Sequence, residues 1–187
     1  MYVTIPNLIT IGRLCLVPLI VWLILAPHPL GAFLVFVAAA ASDAVDGFLA
    51  RQLNLRSDLG AYLDPIADKA LLVSIYVAMA ALGEIPVWLT IMVVSRDFLI
   101  IGGVVLAWML GPPMPVKPSA ISKVNTTAQL VFAAVALGDL AFGANLGLLR
   151  EVLAYLVAAF TILSAALYIA DWVRHMGGVS GAPIGKA

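Results

Sequence analysis

Six long apolar segments dominate this sequence and leave few alternatives for its fold. A helix needs about 20 mostly apolar residues to cross the hydrocarbon core of a bilayer. Six segments meet that requirement, and prolines, glycines and short polar stretches separate them, as is typical of turns between helices. The segments are residues 5–26, 30–50, 60–83, 86–110, 120–140 and 150–173.

The composition supports a membrane protein. Hydrophobic residues make up 64% of the 187 residues and charged residues 11%, whereas soluble domains are about 45–50% apolar and about 25% charged. Ten basic residues balance ten acidic ones, so the chain lacks the basic excess that a nucleic-acid partner requires. We therefore predict an all-α integral membrane protein with six transmembrane helices in one bundle. The membrane domain is expected over residues 1–176, with a flexible tail over 177–187.

Cys15 is the single cysteine of the chain. One cysteine excludes an internal disulfide and a cysteine-based zinc site. Because Cys15 stands in an apolar run, we expect it to be a small buried side chain without a chemical role.

The distribution of basic residues predicts the orientation of the bundle. Lys and Arg accumulate in the cytoplasmic connections of membrane proteins. If the N-terminus is cytoplasmic, the opposite side has only Arg150 near the end of a segment. Both termini are therefore expected in the cytoplasm, on the side of Arg51, Arg56, Lys117, Lys123, Arg174 and Lys186.

Four aspartates interrupt the second and third apolar segments. Asp43 and Asp46 are three residues apart, and Asp64 and Asp68 are four apart, so each pair lies on one face of its helix. Charges at membrane depth are costly and are retained mostly at functional sites. The link over residues 52–59 is short enough for the two helices to return antiparallel. We therefore expect the four carboxylates to converge at the cytoplasmic edge of the bundle.

Such a cluster of carboxylates favours a site for divalent cations. Without cations the four groups would repel one another, and some would be driven to protonate. Oxygen ligands suit Mg²⁺ or Mn²⁺, and a two-metal carboxylate site is suited to reactions at phosphorus. Gly47 and Gly60 would let a large ligand approach the backbone closely. Arg51 is one turn from Gly47 and is placed to pair with a phosphate oxygen.

These residues form a long motif with a clear resemblance to a known family. The pattern Asp43-x-x-Asp46-Gly47-x-x-Ala50-Arg51, eight residues, Gly60-x-x-x-Asp64-x-x-x-Asp68 resembles the signature of the CDP-alcohol phosphatidyltransferases at all eight positions. The resemblance extends from Ile5-Pro6-Asn7 and Arg13 to Lys123-Val124-Asn125-Thr126, so it covers nearly the whole chain.

The resemblance implies a six-helix membrane enzyme, usually a homodimer. Such an enzyme binds a CDP-linked lipid, transfers its phosphatidyl group to an alcohol and releases CMP. By this match the four aspartates would hold two Mg²⁺ or Mn²⁺ ions, and Asp68 would also be the general base for the acceptor hydroxyl. The residues implied at the CDP-lipid site are Asp43, Asp46, Gly47, Ala50, Arg51, Gly60 and Asp64.

The acceptor site is predicted from the polar residues of the fourth and fifth segments. Arg96 and Asp97 are consecutive, so we expect their side chains to point in different directions. Basic groups here favour an anionic acceptor that carries a glycerol hydroxyl. The residues expected to bind it are Arg96, Lys117, Lys123 and Asn125.

The sequence around these residues resembles one branch of the family most. Ser95-Arg96-Asp97 and Ser122-Lys123-Val124-Asn125-Thr126 are similar to the eukaryotic-type cardiolipin synthases. This implies phosphatidylglycerol as the acceptor and cardiolipin as the product. Glycerol 3-phosphate is the alternative acceptor, and it would give phosphatidylglycerophosphate. CDP-diacylglycerol would be the donor in both cases.

Two other classes of protein also use aspartates at membrane depth. Membrane prenyltransferases bind a diphosphate through Mg²⁺, but they are larger and carry their two aspartate motifs on well-separated helix pairs. A small cation transporter would not need the set formed by Gly47, Ala50, Arg51 and Gly60. We therefore favour a phosphatidyltransferase surrounded by membrane lipids. Its expected location is the bacterial inner (cytoplasmic) membrane, with the active site facing the cytoplasm.

Overall fold

The computed structural model describes most of the chain as helix. It describes the backbone of residues 5–26, 28–52, 58–110 and 120–179. Side chains are described for residues 12–26, 28–42, 67, 69–103 and 120–173. Over these ranges the chain forms six helices and no strand, which confirms the predicted all-α fold.

The six helices coincide with the six apolar segments. In chain order they are α1 (Ile5–Leu25), α2 (Pro29–Gln52), α3 (Asp58–Ala81), α4 (Val87–Leu110), α5 (Ala120–Phe142) and α6 (Gly147–Val179). The last helix has 33 residues and is therefore about 50 Å long, which exceeds the roughly 30 Å hydrocarbon core of a bilayer. It continues three residues into the range predicted as a tail.

Gly83 ends α3 and sets the direction of the next helix. Its φ of 76° is in the left-handed region, which glycine adopts without steric cost. The Gly83 amide donates to the Ala80 carbonyl and the Glu84 amide donates to the Met79 carbonyl, which is the Schellman arrangement of a helix end. This compact turn leads directly into α4 and holds Glu84 beside the start of α6.

All six helices contribute to one hydrophobic core. α3 packs against α1, α4 and α5, while α5 packs against α2, α3 and α6. The largest buried side chains, Tyr76, Phe36 and Phe132, come from α3, α2 and α5. Tyr76 and Phe132 are in ring contact with centroids 5.8 Å apart. Because its helices are joined by short antiparallel turns, the bundle has one end at the α1–α2, α3–α4 and α5–α6 connections.

The outer surface of the described bundle is apolar on every helix. Trp22, Leu34 and Phe98 are 59%, 57% and 70% exposed, and similar residues occur on the other three helices. A soluble protein rarely exposes apolar side chains over so much of its surface. Two described stretches, Ala120–Phe142 and Gly147–Val173, are long and apolar enough to cross a membrane. The apolar stretches with described side chains in α1, α2 and α3 are shorter.

Cys15 differs from its predicted environment. The side chain is exposed, whereas its apolar neighbourhood in the sequence suggested burial. α1 meets its neighbours along one face that includes the buried Ile20 and Ile24, and Cys15 lies away from that face. In a bundle surrounded by lipid, apolar sequence does not distinguish the core from the outer surface, which explains the wrong prediction.

Candidate active site

The backbone of α2 and α3 locates the predicted aspartates within two consecutive helices. Asp43 and Asp46 belong to the last three turns of α2, and Asp64 and Asp68 belong to the first three turns of α3. These positions are far from the α1–α2 and α3–α4 turns, at the other end of the bundle. The side-chain positions of the predicted CDP-lipid and metal residues lie outside the described residues: Asp43, Asp46, Gly47, Ala50, Arg51, Gly60, Asp64 and Asp68.

The chemistry of this donor set fits a hard divalent cation. All four predicted ligands are carboxylates, and each pair is separated by about one helical turn. Oxygen donors of this kind suit Mg²⁺ and Mn²⁺. Among the side chains that the structure describes, no three His, Cys, Asp or Glu groups lie close enough together to hold a metal ion.

Two described residues flank the predicted base, Asp68, on α3. Ala67 is completely buried and packs into the interior of the bundle. Lys69 reaches α4, where its Nζ lies 2.5 Å from Oδ1 of Asp97. Consecutive residues of a helix are about 100° apart around its axis, so positions 67 and 69 hold α3 on two different sides.

Arg96 is the centre of a buried polar cluster that joins three helices. Its side chain is 3% exposed, and its Nη1 donates to Oδ1 of Asp97 at 2.7 Å. Its Nη2 donates to the hydroxyl of Ser122 on α5 at 2.6 Å and to the hydroxyl of Ser164 on α6 at 2.7 Å. The guanidinium thus meets the need of a buried charge for several hydrogen bonds.

The contact between Arg96 and Asp97 corrects a prediction. The two side chains were expected to point in different directions because they are consecutive on a helix, but they bond to each other directly. The long, flexible Arg96 side chain can curve back to the short Asp97 side chain. Each also has a further partner, Lys69 for Asp97 and the two serines for Arg96, so neither is neutralised by its neighbour alone.

A second polar layer lies one turn further along α5. Asn125 is completely buried, and its Oδ1 accepts a hydrogen bond from the Thr161 hydroxyl of α6 at 3.0 Å. Another turn along, the buried Gln129 offers its backbone carbonyl to the Tyr76 hydroxyl at 3.1 Å. The described interior thus has a polar stripe that begins at Ser122 and runs toward the middle of α5.

Lys123 lies on the outer side of α5, away from this stripe. The residue is exposed and stands at the edge of a groove of about 380 Å³ between α5 and α6. The other residues along the groove are almost all apolar, and they include Val124, Val131 and Phe160. Lys117, the remaining predicted acceptor residue, lies outside the described residues.

The opposite end of the bundle has its own ion pairs. Arg150 at the start of α6 donates to Oδ2 of Asp139 on α5 at 3.1 Å, and it also contacts the backbone carbonyl and the carboxylate of Glu84. Oδ1 of Asp139 accepts from the Leu146 amide at 3.0 Å. Three of the partners are in or next to turns, so these bonds hold the α3–α4 and α5–α6 connections together.

Three residues of the Arg96 cluster and of the second polar layer were not predicted from the sequence. Lys69 was overlooked because it directly follows Asp68, where the motif drew attention to the aspartates. Thr161 and Ser164 were overlooked because single hydroxyls are common in apolar helices. Their spacing of three residues, which puts them on one face of α6, was the available signal.

Comparison with known proteins identifies the family of this chain. The family model of the CDP-alcohol phosphatidyltransferases matches residues 3–167, which include α1 to α5 and most of α6. This chain belongs to the CDP-alcohol phosphatidyltransferase family. The match confirms the resemblance that was inferred from the aspartate motif.

Named relatives within the CDP-alcohol phosphatidyltransferase family fall into two groups. The chain is 38% identical over 185 residues to the chloroplastic CDP-diacylglycerol–glycerol-3-phosphate 3-phosphatidyltransferase 1 of rice (Oryza sativa subsp. japonica), covering 89% of this chain and 56% of the relative. It is 36% identical over 179 residues to the CMP-forming cardiolipin synthase of Rattus norvegicus, covering 87% and 59%. The CDP-diacylglycerol–glycerol-3-phosphate 3-phosphatidyltransferase of Bacillus subtilis (strain 168) is 31% identical over 186 residues, covering 89% and 94%.

The chain covers different shares of these relatives' lengths. The chain spans somewhat more than half the length of the rice and rat relatives, and nearly the full length of the Bacillus subtilis relative. One group is named for phosphatidyl transfer to glycerol 3-phosphate, and the other is named for the synthesis of cardiolipin with formation of CMP. Relatives of both groups match the chain at 31–38% identity.

Proposed function

We propose that this chain transfers a phosphatidyl group from CDP-diacylglycerol to an anionic alcohol that carries a glycerol hydroxyl, and releases CMP. The preferred acceptor is phosphatidylglycerol, which makes the chain a cardiolipin synthase. Glycerol 3-phosphate is the second candidate, because relatives with that acceptor match the chain as well as cardiolipin synthases do.

One observation carries the proposal: all eight signature residues stand on two consecutive helices of a chain that matches the family model over residues 3–167. The first five are in the last turns of α2 and the other three are in the first turns of α3. Two acids about one turn apart share a face of their helix, so two such helices can bring four carboxylates to one ligand.

Asp43, Asp46 and Asp64 are proposed to bind the CDP-lipid through two divalent ions, Mg²⁺ or Mn²⁺. When bound, these ions would offset the charge of the diphosphate and of the four carboxylates, as in other two-metal sites for reactions at phosphorus. Gly47 and Gly60 are proposed to leave room for the nucleotide, because a residue without a side chain lets a ligand approach the backbone. Ala50 and Arg51 complete the proposed CDP-lipid site.

Asp68 is proposed to be the general base as well as a metal ligand. It would accept the proton of the acceptor hydroxyl while the hydroxyl oxygen attacks the lipid-bearing phosphorus. The bond between that phosphorus and the bridging oxygen of the diphosphate breaks, and CMP leaves with the bonding electron pair. The proton then passes from Asp68 to solvent.

Two buried nitrogen atoms support the proposed acceptor site. Within the described part of the chain, Nε of Arg96 and Nδ2 of Asn125 are buried and have no hydrogen-bond partner. A buried donor without a partner is costly, and a ligand that brings oxygen atoms relieves that cost. Both residues were predicted to bind the acceptor, and a phosphate or glycerol group would supply suitable oxygens.

Lys123 lies apart from the buried Arg96 and Asn125, and the groove beside it supports a lipid acceptor, which is larger than glycerol 3-phosphate. The ammonium group at the edge of the α5–α6 groove suits an anionic headgroup, and the apolar groove of about 380 Å³ suits an acyl chain. Glycerol 3-phosphate has a phosphate but no acyl chain to occupy such a groove. We propose that Lys117 contributes to the same headgroup site.

The membrane arrangement follows from the same proposal. We propose that all six helices cross the bacterial inner membrane, with both termini and the active site on the cytoplasmic side. Exposed apolar residues on each helix support this, including Val77 on α3 and Ile162 on α6, which are 50% and 59% exposed. A homodimer is proposed from the resemblance to the family.

The test is a product assay with purified protein in phospholipid vesicles. Vesicles containing CDP-diacylglycerol and Mg²⁺ or Mn²⁺ are supplied with phosphatidylglycerol, glycerol 3-phosphate or inositol, and products are identified by mass spectrometry. The expected result is CMP and cardiolipin with phosphatidylglycerol. Formation of phosphatidylglycerophosphate alone would refute the preferred acceptor, and absence of CMP with every alcohol would refute the proposed reaction.

A further inference from the structure

The Asp97 carboxylate contacts two basic side chains, Arg96 on its own helix α4 and Lys69 on α3. Its Oδ1 accepts from Nη1 of Arg96 at 2.7 Å and lies 2.5 Å from Nζ of Lys69. The Asp97 side chain is 8% exposed, so it is shielded from water that would otherwise weaken both interactions. α3 and α4 are therefore connected by a short ion pair whose carboxylate is buried and whose ammonium group is partly exposed.

Arg96 extends this connection to the remaining helices of the cluster. Its two bonds to the Ser122 and Ser164 hydroxyls fix the guanidinium between α5 and α6. Asp97 therefore cannot move without disturbing a group that is bonded to two other helices. The position of the Asp97 carboxylate is therefore restrained, and it restrains its partner on α3 in turn.

On α3, the partner of Asp97 is Lys69, which lies close in sequence to the predicted active-site aspartates. It directly follows Asp68 and is about one and a half turns from Asp64. A helix is stiff over so short a distance, so fixing Lys69 restricts the rotation and height of both aspartate positions. The packing of the fully buried Ala67 restricts the helix on another side, and the ion pair completes that restraint.

We propose that Asp97 is a positioning residue for phosphatidyl transfer, acting through Lys69 on the segment of α3 that carries Asp64 and Asp68. The inference rests on the proposed function of those two aspartates. Its physical basis is the sensitivity of such sites to geometry, since a displacement of about 1 Å can lower a rate by about 10²-fold. Partners that orient metal ligands typically contribute about 10- to 100-fold in metal affinity or activity.

The test compares two Asp→Asn variants of the full chain. Asp97→Asn removes the charge that holds Lys69, while Asp139→Asn removes an equally buried carboxylate from the ion pair at the opposite end of the bundle. The two side chains are 8% and 9% exposed, so the loss of stability should be similar. Mn²⁺ affinity is measured by electron paramagnetic resonance, and kcat and KM are measured by CMP release.

The expected results separate positioning from general stability. Asp97→Asn should weaken Mn²⁺ binding or lower kcat by about tenfold or more, with KM for both lipids nearly unchanged. Asp139→Asn should keep the wild-type Mn²⁺ affinity and kcat. Asp97→Glu, which retains the charge, should recover part of the lost function. If Asp97→Asn matches Asp139→Asn in both measurements, or raises KM for the acceptor with kcat intact, the proposal is overturned.

Lys69→Met keeps the proposal testable if Asp97→Asn does not fold. Lys69 is about one-third exposed, and its removal leaves Asp97 paired with Arg96, so this variant should fold. It should show the same loss of kcat or Mn²⁺ affinity, and wild-type behaviour would refute the proposal. Mn²⁺ binding can be measured without turnover. If the wild-type protein binds Mn²⁺ but releases no CMP, the proposed reaction is refuted. The Mn²⁺ affinities of the variants then still test the role of Asp97.

Discussion

At the scale of single residues, Arg96 combines burial with a full positive charge. Its three described hydrogen bonds, one of which is also an ion pair, involve Asp97, Ser122 and Ser164, and its Nε has no hydrogen-bond partner among the described residues. Removal of one partner from a buried charged group is strongly destabilising, by about 3–5 kcal/mol. The same residue can therefore support the fold of α4 to α6 and still offer one donor to the acceptor.

The aspartates are expected to differ in their effects on binding and rate. Asp68→Asn should lower turnover by about 10²–10⁴-fold, because a positioned base is lost, while much of the affinity for CDP-diacylglycerol remains. Asp43→Asn or Asp64→Asn should weaken both binding and turnover, since these residues are proposed to bind the diphosphate through metal. CMP release and equilibrium binding of the CDP-lipid measure the two effects. An Asp68→Asn protein that turns over at a near-normal rate would contradict the assigned base.

The sequence predicted which residues are polar at membrane depth but not how they pair. The signature aspartates could be identified because their spacing is local, three or four residues on one helix. The partners of Arg96 could not, because Ser122 and Ser164 are 26 and 68 residues away along the chain. Such pairs depend on the register between helices, which apolar segments alone do not determine.

At the scale of helices, the apolar segments predicted the bounds of five of the six helices to within two residues and those of α6 less closely. The predicted segment 150–173 became the helix Gly147–Val179, because a helix continues beyond the apolar residues that cross a membrane. Residues 174–179, which follow the apolar segment, continue the helix. Hydropathy therefore indicates the membrane-crossing part of a helix and underestimates the helix itself.

The packing of α4 against α6 depends on Gly103. A Cβ at this position would lie 2.6 Å from the Tyr168 hydroxyl oxygen, and that hydroxyl also donates to the Ile100 carbonyl at 3.1 Å. Gly103→Ala should therefore lower the free energy of unfolding by about 1–3 kcal/mol relative to Gly102→Ala. At Gly102 a Cβ would meet nothing within 4 Å, so this neighbour is a matched control.

Thermal unfolding of both variants in the same detergent measures the difference. The two substitutions give α4 the same gain in helix propensity, so that gain cancels in the comparison. Equal stabilities for Gly103→Ala and Gly102→Ala would mean that α4 and α6 are not packed as closely as the structure describes.

At the scale of the whole molecule, the two ends of the bundle differ in chemistry. One end has the aspartate segments of α2 and α3, and the other has the turns joined by Arg150 with Asp139 and Glu84. We expect these ends to face opposite sides of the membrane, with the aspartate segments on the cytoplasmic side. The distribution of Lys and Arg along the sequence supports this orientation.

Labelling of single cysteines tests the orientation. With Cys15 replaced, a cysteine at Ser57 should react with a membrane-impermeant reagent only after the cells are opened. A cysteine at Ala144, which is exposed in the α5–α6 turn, should react in intact cells. Ala144 is chosen over Asn145, whose φ of 55° is unfavourable for cysteine. Reaction of both cysteines from outside would contradict the proposed topology.

The most direct test of phosphatidyl transfer is the release of CMP from CDP-diacylglycerol by the purified chain in vesicles that contain phosphatidylglycerol. We predict CMP and cardiolipin in equal amounts, no product with excess chelator, and recovery when Mg²⁺ or Mn²⁺ is restored. The Asp68→Asn protein, assayed beside it, should release CMP about 10²–10⁴-fold more slowly. If the wild-type chain releases no CMP with phosphatidylglycerol, glycerol 3-phosphate or inositol, the proposed phosphatidyl transfer is contradicted.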